Sequence, residues 1–471
     1  MGWKVRHLHS QNRGLLGKVG MKTRMKRFLN KMEVDRAVFF GVLTRIWSIV
    51  AGSITALLIA IKFSPVLQGY YYVFWSIFAF QTFAELGLSS VVVQFASHEW
   101  SKLYLDKEGN IKGDEKAISR LISLATKAST WYSVGAFIVI FGLGAGGYLF
   151  FYYSQNFRIG WELPWLTLCF LSGINFFLVL IWSLLEGCNQ VSNVYAYRFF
   201  QGLATNLSIW LAIASGAKLW AAPISIAVIL MASATFLKRK YFNFLKTLFF
   251  SRPTTFFIEW RKEVVPLQWR MALIWISNYF VFWFMTPVIF HYHGAVMAGQ
   301  FGMTWSVVSA IGMIASSWIF PKAPQFGILI SRKKYNELDR LFLRITRMMV
   351  IVMLTLASAI LLGVVMLNFF KHPFAKRILP ILPTALFLAA QIIMTLTLPV
   401  STYLRAHKKE PTLVILVTSG ILTGLLIFVL GKYSSVTGVA IGYLSVNVLS
   451  APLLVLIWNR CRRAWHTDGI A

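Results

Sequence analysis

The chain has 471 residues, 57% of them apolar and only 13% charged, against about a quarter charged in soluble domains. That composition excludes a soluble enzyme. The net charge of +30 invites a nucleic-acid reading, but the basic residues gather at the ends of apolar segments rather than over a soluble surface, which excludes that class too. Three scattered cysteines, Cys169, Cys188 and Cys461, make neither a disulfide framework nor a thiolate metal site.

Residues 1–36 form a basic arm without the apolar core of a secretory signal. An acid-poor, arginine-containing start also fits an organelle transit peptide; the preferred reading is a cytoplasmic arm ahead of the first span, with Met21, Met25 or Met32 as alternative starts. From there hydropathy and chain breakers predict twelve spans, at 38–61, 70–96, 131–153, 164–186, 195–215, 219–237, 270–290, 297–320, 345–368, 379–400, 411–430 and 436–458. Most Lys and Arg then fall on the side of both termini, which the positive-inside rule makes cytoplasmic. Lys371, Lys376 and Arg377 fall on the opposite side, against that rule. The longer cytoplasmic connections hold amphipathic pieces, Ala117–Ser129 and Phe256–Arg270, expected to lie along the headgroups. The outer connections are too short to build a catalytic domain.

The division that follows is a basic arm to residue 36, a six-span unit at 37–240, a cytoplasmic linker at 241–269, a second six-span unit at 270–459 and a short tail at 460–471. A shift of 230 residues supports two similar halves. It lays Val66, Gly69, Trp75 and Ser76 on Val296, Gly299, Trp305 and Ser306, each set opening the second span of its half.

Polar residues inside the spans carry the functional signal. Gln81, Glu85 and Ser89 are spaced i, i+4, i+8, one face of a continuous helix. A carboxylate at that depth costs at least ~2–3 kcal/mol unless it meets a partner or a wet cavity. Arg45, Ser48, Gly52 and Thr55 share a face in the first span, and Arg198, Gln201, Thr205 and Ser208 repeat that spacing in the fifth. Ser172, Asn175, Ser183 and Glu186 line the fourth span; Arg270, Ser277 and Asn278 line the seventh. Several such faces imply a shared polar interior. Arg45, Glu85, Arg198, Arg270, Gln81 and Gln201 are therefore the candidate substrate-binding residues, with Glu85 and Glu186 as candidates for ion coupling. Two plainer readings stand beside this one: a structural Arg45–Glu85 pair, and snorkelling of Arg198 and Arg270 from helix ends. Gly142-Leu-Gly-Ala-Gly-Gly147 matches a dinucleotide fingerprint in letters, but no strand precedes it; Gly142 and Gly146 read instead as a surface for close helix contact. No phosphate-binding loop of the Walker type and no zinc-protease motif occurs, and His291 and His293 fall in a connection, so no cofactor and no metal are expected.

Glu85-Leu-Gly-Leu88, Gln94-Phe-Ala-Ser-His-Glu-Trp100, Trp260-Arg-Lys-Glu263, Pro266-Leu-Gln-Trp-Arg270, Lys322-Ala-Pro-Gln-Phe-Gly327 and Tyr403-Leu-Arg-Ala-His-Lys-Lys-Glu-Pro411 resemble segments of bacterial polysaccharide-biosynthesis membrane proteins. These are lipid-linked oligosaccharide flippases, of the O-antigen type, in the multidrug/oligosaccharidyl-lipid/polysaccharide exporter superfamily. The resemblance extends from Arg36 to Arg463 and does not include the basic arm. It implies an all-α polytopic membrane protein of about twelve transmembrane helices in two pseudo-symmetric six-helix bundles. It also implies alternating access, a cationic cavity for an undecaprenyl-pyrophosphate head and residence in the bacterial inner membrane. The implied partners are the lipid-linked oligosaccharide, membrane lipids and the polymerase and ligase of the same pathway, with no nucleic acid. A small-molecule antiporter of the same fold and a polytopic polysaccharide polymerase or ligase are the competing functions. Reporter fusions at Arg158, Lys218 and Lys432 test the topology: all three should report the outer side, and two cytoplasmic signals would overturn it.

Overall fold

The computed structural model describes residues 36–154, 159–251, 256–407 and 411–466. Residues 1–35 of the basic arm, Arg158 and the last residues of the tail lie outside the described residues. Inside a bilayer the backbone must satisfy its own hydrogen bonds, and this chain does so with helices. It is an all-α polytopic membrane protein.

The helices are α1 (Arg36–Lys62), α2 (Pro65–Phe78), α3 (Gln81–Glu85), α4 (Leu88–Trp100), α5 (Glu115–Phe137), α6 (Gly144–Tyr153), α7 (Glu162–Gly187), α8 (Val191–Ala214), α9 (Ala221–Lys240) and α10 (Phe242–Phe250). They continue with α11 (Val265–Phe282), α12 (Met285–Ser316), α13 (Ala323–Ser331), α14 (Tyr335–Phe369), α15 (Ile381–Ala406), α16 (Leu413–Tyr433) and α17 (Val436–His466). Among the described residues, nine helical runs are long and apolar enough to cross a membrane, ten if the bent run 65–100 is one span. The twelve expected segments all fall on helix. Two share the 57-residue run Trp260–Ser316, and another is α8, whose apolar content is diluted by Arg198, Gln201 and Asn206. At 1.5 Å per residue that run is about 85 Å long, far beyond a core of roughly 30 Å, so it must turn. It does so at Gly294, whose φ of 83° and ψ of 172° suit only glycine.

Three expectations need correction. The predicted span 70–96 is not one helix: Leu86 (φ 50°) and Gly87 (φ 68°) are left-handed, and the axis bends by 46° there. A side chain on Gly87 would press on Met271 and Trp275 of α11, so the bend and the packing select the same residue. The segment Ala117–Ser129 is not a separate surface helix but the first half of α5, which runs through a π-helical stretch, Ile138–Leu143, into α6. Its start is set by Asp114, whose carboxylate accepts from the Ala117 amide at 3.0 Å. Residues 256–259 are not helical and lie against α5: the Phe256 carbonyl accepts from Ser119, and that of Ile258 from Lys127 at 2.6 Å. A short antiparallel hairpin, β1 (Leu103–Leu105) with β2 (Ile111–Gly113), was not expected either. Its loop is organised by Asp106, which accepts from the amides of Asn110 and Glu108; those bonds hold its carboxyl below the usual range.

The N-terminal and C-terminal helices meet where α2 lies along α12. A Cβ on Gly69 would sit 1.9 Å from the Ala295 carbonyl oxygen, and one on Gly299 would sit 2.8 Å from the Gly69 nitrogen. Gly69 and Gly299 are partners under the 230-residue shift, as are Tyr72 and Gly302, which also touch. Around this crossing Tyr70 packs its ring on Phe151 and Phe290 at 5.5 and 5.1 Å. Ser76, fully buried, donates to the carbonyl of Trp283, an acceptor left over where α11 ends.

The basic cluster that breaks the charge rule is structural in part. Arg377 donates to the Phe63 carbonyl at 2.6 Å, while Gln68 donates to the carbonyls of Arg377 and Gly299 at 3.0 and 2.8 Å. Burial lowers the Arg377 guanidinium from its ordinary value, but not enough to discharge a group of that basicity. The 3₁₀ turn Pro373–Arg377 therefore ties α1, α2 and α12 together across the end of the bundle.

Because the neighbour of Gly69 is backbone, Gly69→Ala should cost on the order of 1–3 kcal/mol and lower the midpoint of thermal unfolding in detergent. Gly52→Ala, with nothing within 4 Å of its Cβ position, should not lower it.

Candidate functional site

Arg45 lies nine residues into α1, about 13 Å along the helix. Its side chain is exposed on the face away from α8, and its guanidinium carbon stands 4.2 Å from the centroid of the Phe320 ring. Phe320 opens the 3₁₀ turn Phe320–Lys322 that follows α12, so Arg45 reaches from the N-terminal helices onto the C-terminal ones. Lys322 is exposed two residues further on. The polar stripe of α1 divides in two. Ser48 and Gly52 stay exposed beside Arg45, whereas Thr55 accepts from the Trp210 indole of α8 at 2.9 Å.

Glu85 is only 8% exposed. The polar groups around its carboxylate are Ser89 and Tyr132, and one carboxylate oxygen has no hydrogen-bond partner. The structural Arg45–Glu85 pair does not form, because the left-handed pair Leu86–Gly87 interrupts the helix and Glu85 packs toward α5. Trp131 of α5 donates to the neighbouring Ala84 carbonyl at 3.0 Å. Gln81, four residues before Glu85, is half-buried.

Arg198 and Glu186, expected as separate binding and coupling residues, form an ion pair with each other where α7 ends and α8 begins. Gln201 is turned into the α8–α9 contact, where its amide donates to Ser233 at 3.3 Å and the Tyr197 hydroxyl lies 2.8 Å from the same oxygen. Arg270 is exposed on α11 with its guanidinium 5.7 Å from the ring of Trp269, and Asn278 is exposed further along. Ser277 instead packs against Gly420. The structure thus leaves Arg45, Arg270 and Lys322 as exposed cations, pairs Arg198, and buries Glu85. Gly146 faces open space rather than a neighbouring helix. His291 meets Ser154 at 2.9 Å and His293 the Gly431 carbonyl at 2.8 Å, ordinary ties at helix ends. Among the described residues no group of three or more His, Cys, Asp or Glu side chains could hold a metal ion.

One cluster escaped the sequence reading. Arg120 of α5 donates from Nε to Glu99 at 2.8 Å and from Nη2 to Glu263 at 2.6 Å. It joins α4, α5 and the π-helical turn Trp260–Val264 that leads into α11. Glu99 and Glu263 each lie within one of the motif segments, Gln94–Trp100 and Trp260–Glu263, but nothing in their spacing names the cation between them.

The described residues form a multi-pass helical bundle whose N-terminal and C-terminal helices meet where α2 lies along α12. Comparison with solved structures gives that fold a place. The chain is similar to the inward-facing conformation of a multidrug resistance MATE family transporter of the MOP superfamily, with 13% identity, 92% of this chain and 96% of that one covered, and a TM-score of 0.56. It is similar to the lipid II flippase MurJ in an inward closed conformation, with 15% identity, 89% and 87% covered, and a TM-score of 0.58. A MOP superfamily transporter from Pyrococcus furiosus, described as having a binding pocket of reversed polarity, follows at 13% identity, 92% and 97% covered, and a TM-score of 0.52. No protein-family model matches the chain, and neither does the sequence of any curated protein. The chain therefore has the fold of MOP superfamily transporters.

Arg120→Ala should strand the buried Glu99 and cost up to ~3 kcal/mol of stability, read as a lower unfolding midpoint. Adding Glu99→Gln should restore part of the loss by removing the stranded charge. Equal midpoints for both proteins would show that the cluster contributes through packing alone.

Proposed function

We propose that this protein is a flippase. In this reading it moves an undecaprenyl-pyrophosphate-linked oligosaccharide, such as an O-antigen, capsule or exopolysaccharide repeat unit, across the bacterial inner membrane. The single observation that carries the proposal is Arg45: a cation deep in the first span, exposed, in contact with the opposite set of helices, and with no acidic partner among the described residues. The fold serves both multidrug transporters and a lipid II flippase, so charge must choose between substrate classes. Arg270 and Lys322 add cations on the C-terminal helices, while Glu186 is neutralised by Arg198 and Glu85 faces the interior. That balance suits a pyrophosphate, which guanidinium groups grip in bidentate fashion.

In this reading residues 37–240 and 270–459 rock about the linker 241–269, and both termini are cytoplasmic. The outward step gains about 2.3 kcal/mol per negative charge per 100 mV of membrane potential. Polymerase and ligase of the same pathway would take the product from the outer leaflet, and the protein itself catalyses no covalent step. A second reading, an ion-coupled antiporter of small molecules, rests on Glu85, whose unpartnered buried oxygen would suit a coupling ion.

Arg45→Ala removes only a cation–π contact, worth about 0.5–1 kcal/mol at such a site, so membrane abundance should stay near wild type. Surface display of the polysaccharide should collapse, and Arg45→Lys should recover part of it. Full display by Arg45→Ala would reject the substrate reading, whereas unchanged display together with loss of ion-driven export of small molecules in Glu85→Gln would favour the antiporter.

A further inference from the structure

The C-terminal turn of α9 carries Lys238, Arg239 and Lys240 in succession, all exposed. Arg36, at the start of α1, is close enough to Lys240 for their charges to repel. Beside them, between α8 and α9, runs a groove of about 560 Å³ lined by Tyr197, Val228, Met231, Thr235 and Phe236, with Arg239 and Lys240 at one end. No acidic residue lines it. Its aromatic wall is rigid: Trp182 stacks on Tyr197 at 4.6 Å, and Tyr197 on Phe236 at 4.5 Å. The Tyr197 hydroxyl is spent on Ser233. The ammonium of Lys240 lies 5.9 Å from the Phe236 centroid and 5.7 Å from that of Tyr241, beside the groove.

The length of the groove identifies its occupant. Val228 and Lys240 are twelve residues apart on one helix, about 18 Å at 1.5 Å per residue. A single leaflet contributes about half of a core of roughly 30 Å, so cations at headgroup level place Val228 near the bilayer midplane. We infer that this groove binds one anionic phospholipid, its phosphate between Arg239 and Lys240 and an acyl chain along Val228, Met231 and Thr235. The site is separate from Arg45 and does not depend on what the protein transports.

The test uses the full chain purified in detergent, with thermal unfolding followed while phosphatidylglycerol, phosphatidylcholine of the same acyl composition, or inorganic phosphate is added. Phosphatidylglycerol should raise the midpoint, phosphatidylcholine should do so much less, and phosphate should leave it unchanged. Arg239→Gln with Lys240→Gln should weaken the response on the order of tenfold. Thr235→Trp, which fills the groove and keeps every charge, should produce a similar loss. An undiminished phosphatidylglycerol response in both variants would mean that lipid acts only as a general annulus and would overturn the proposal. Full stabilisation by phosphate alone would overturn it too, by showing an anion site that needs no lipid.

Discussion

The rest of the architecture depends on how closely α2 and α12 approach. At Gly69 the backbone of one helix meets the carbonyl of Ala295 on the other, a separation that only a missing side chain allows. In a bilayer no hydrophobic force draws helices together, so contact of this kind, helped by buried hydrogen bonds, must supply the association. Gln68 provides such bonds beside the crossing, and Ser76 provides another about two turns further on. Once α2 and α12 are locked, the turn at Pro373–Arg377 can bridge their ends, and the bend at Leu86–Gly87 can rest on α11. Both features would lose their partners if the two helices stood further apart.

Electrostatics in the spans follows from the same packing. Where helices close together, charges are paired or shielded: Arg198 with Glu186, Arg120 between Glu99 and Glu263, Glu85 beside Tyr132. Arg45 meets Phe320 across the two sets of helices, Lys322 is exposed two residues beyond that ring, and Arg270 is exposed on α11. Of the two acids inside the expected spans, Glu85 is buried and Glu186 is paired with Arg198, whereas Arg45 has no acidic partner among the described residues.

Much of this was legible beforehand. Long apolar runs bounded by basic residues announce a polytopic helical protein, since the bilayer admits few other solutions. The polar stripe on α1 likewise marked Arg45 as unusual. The companion stripe, Gln81–Glu85–Ser89, misled, because its one-face geometry assumes an unbroken helix and Leu86 is left-handed despite being no glycine. The Arg120 cluster was hidden for a different reason: Glu99 and Glu263 are separated by more than 160 positions and meet only through a third residue.

By itself, then, the sequence determined composition-driven properties: helix, membrane, approximate span positions and the depth of each charge, all of which follow from local hydropathy and a fixed rise per residue. Only the tertiary structure decided which charges meet. Partner choice depends on rotation about each helix axis, and one bend or one close approach resets that rotation. Arg198 acquired Glu186, Arg45 acquired an aromatic ring in place of a carboxylate, and Arg377 left an apparently misplaced loop to bind the end of α1. No periodicity in the chain encodes those outcomes, because each depends on where a second helix has already been placed.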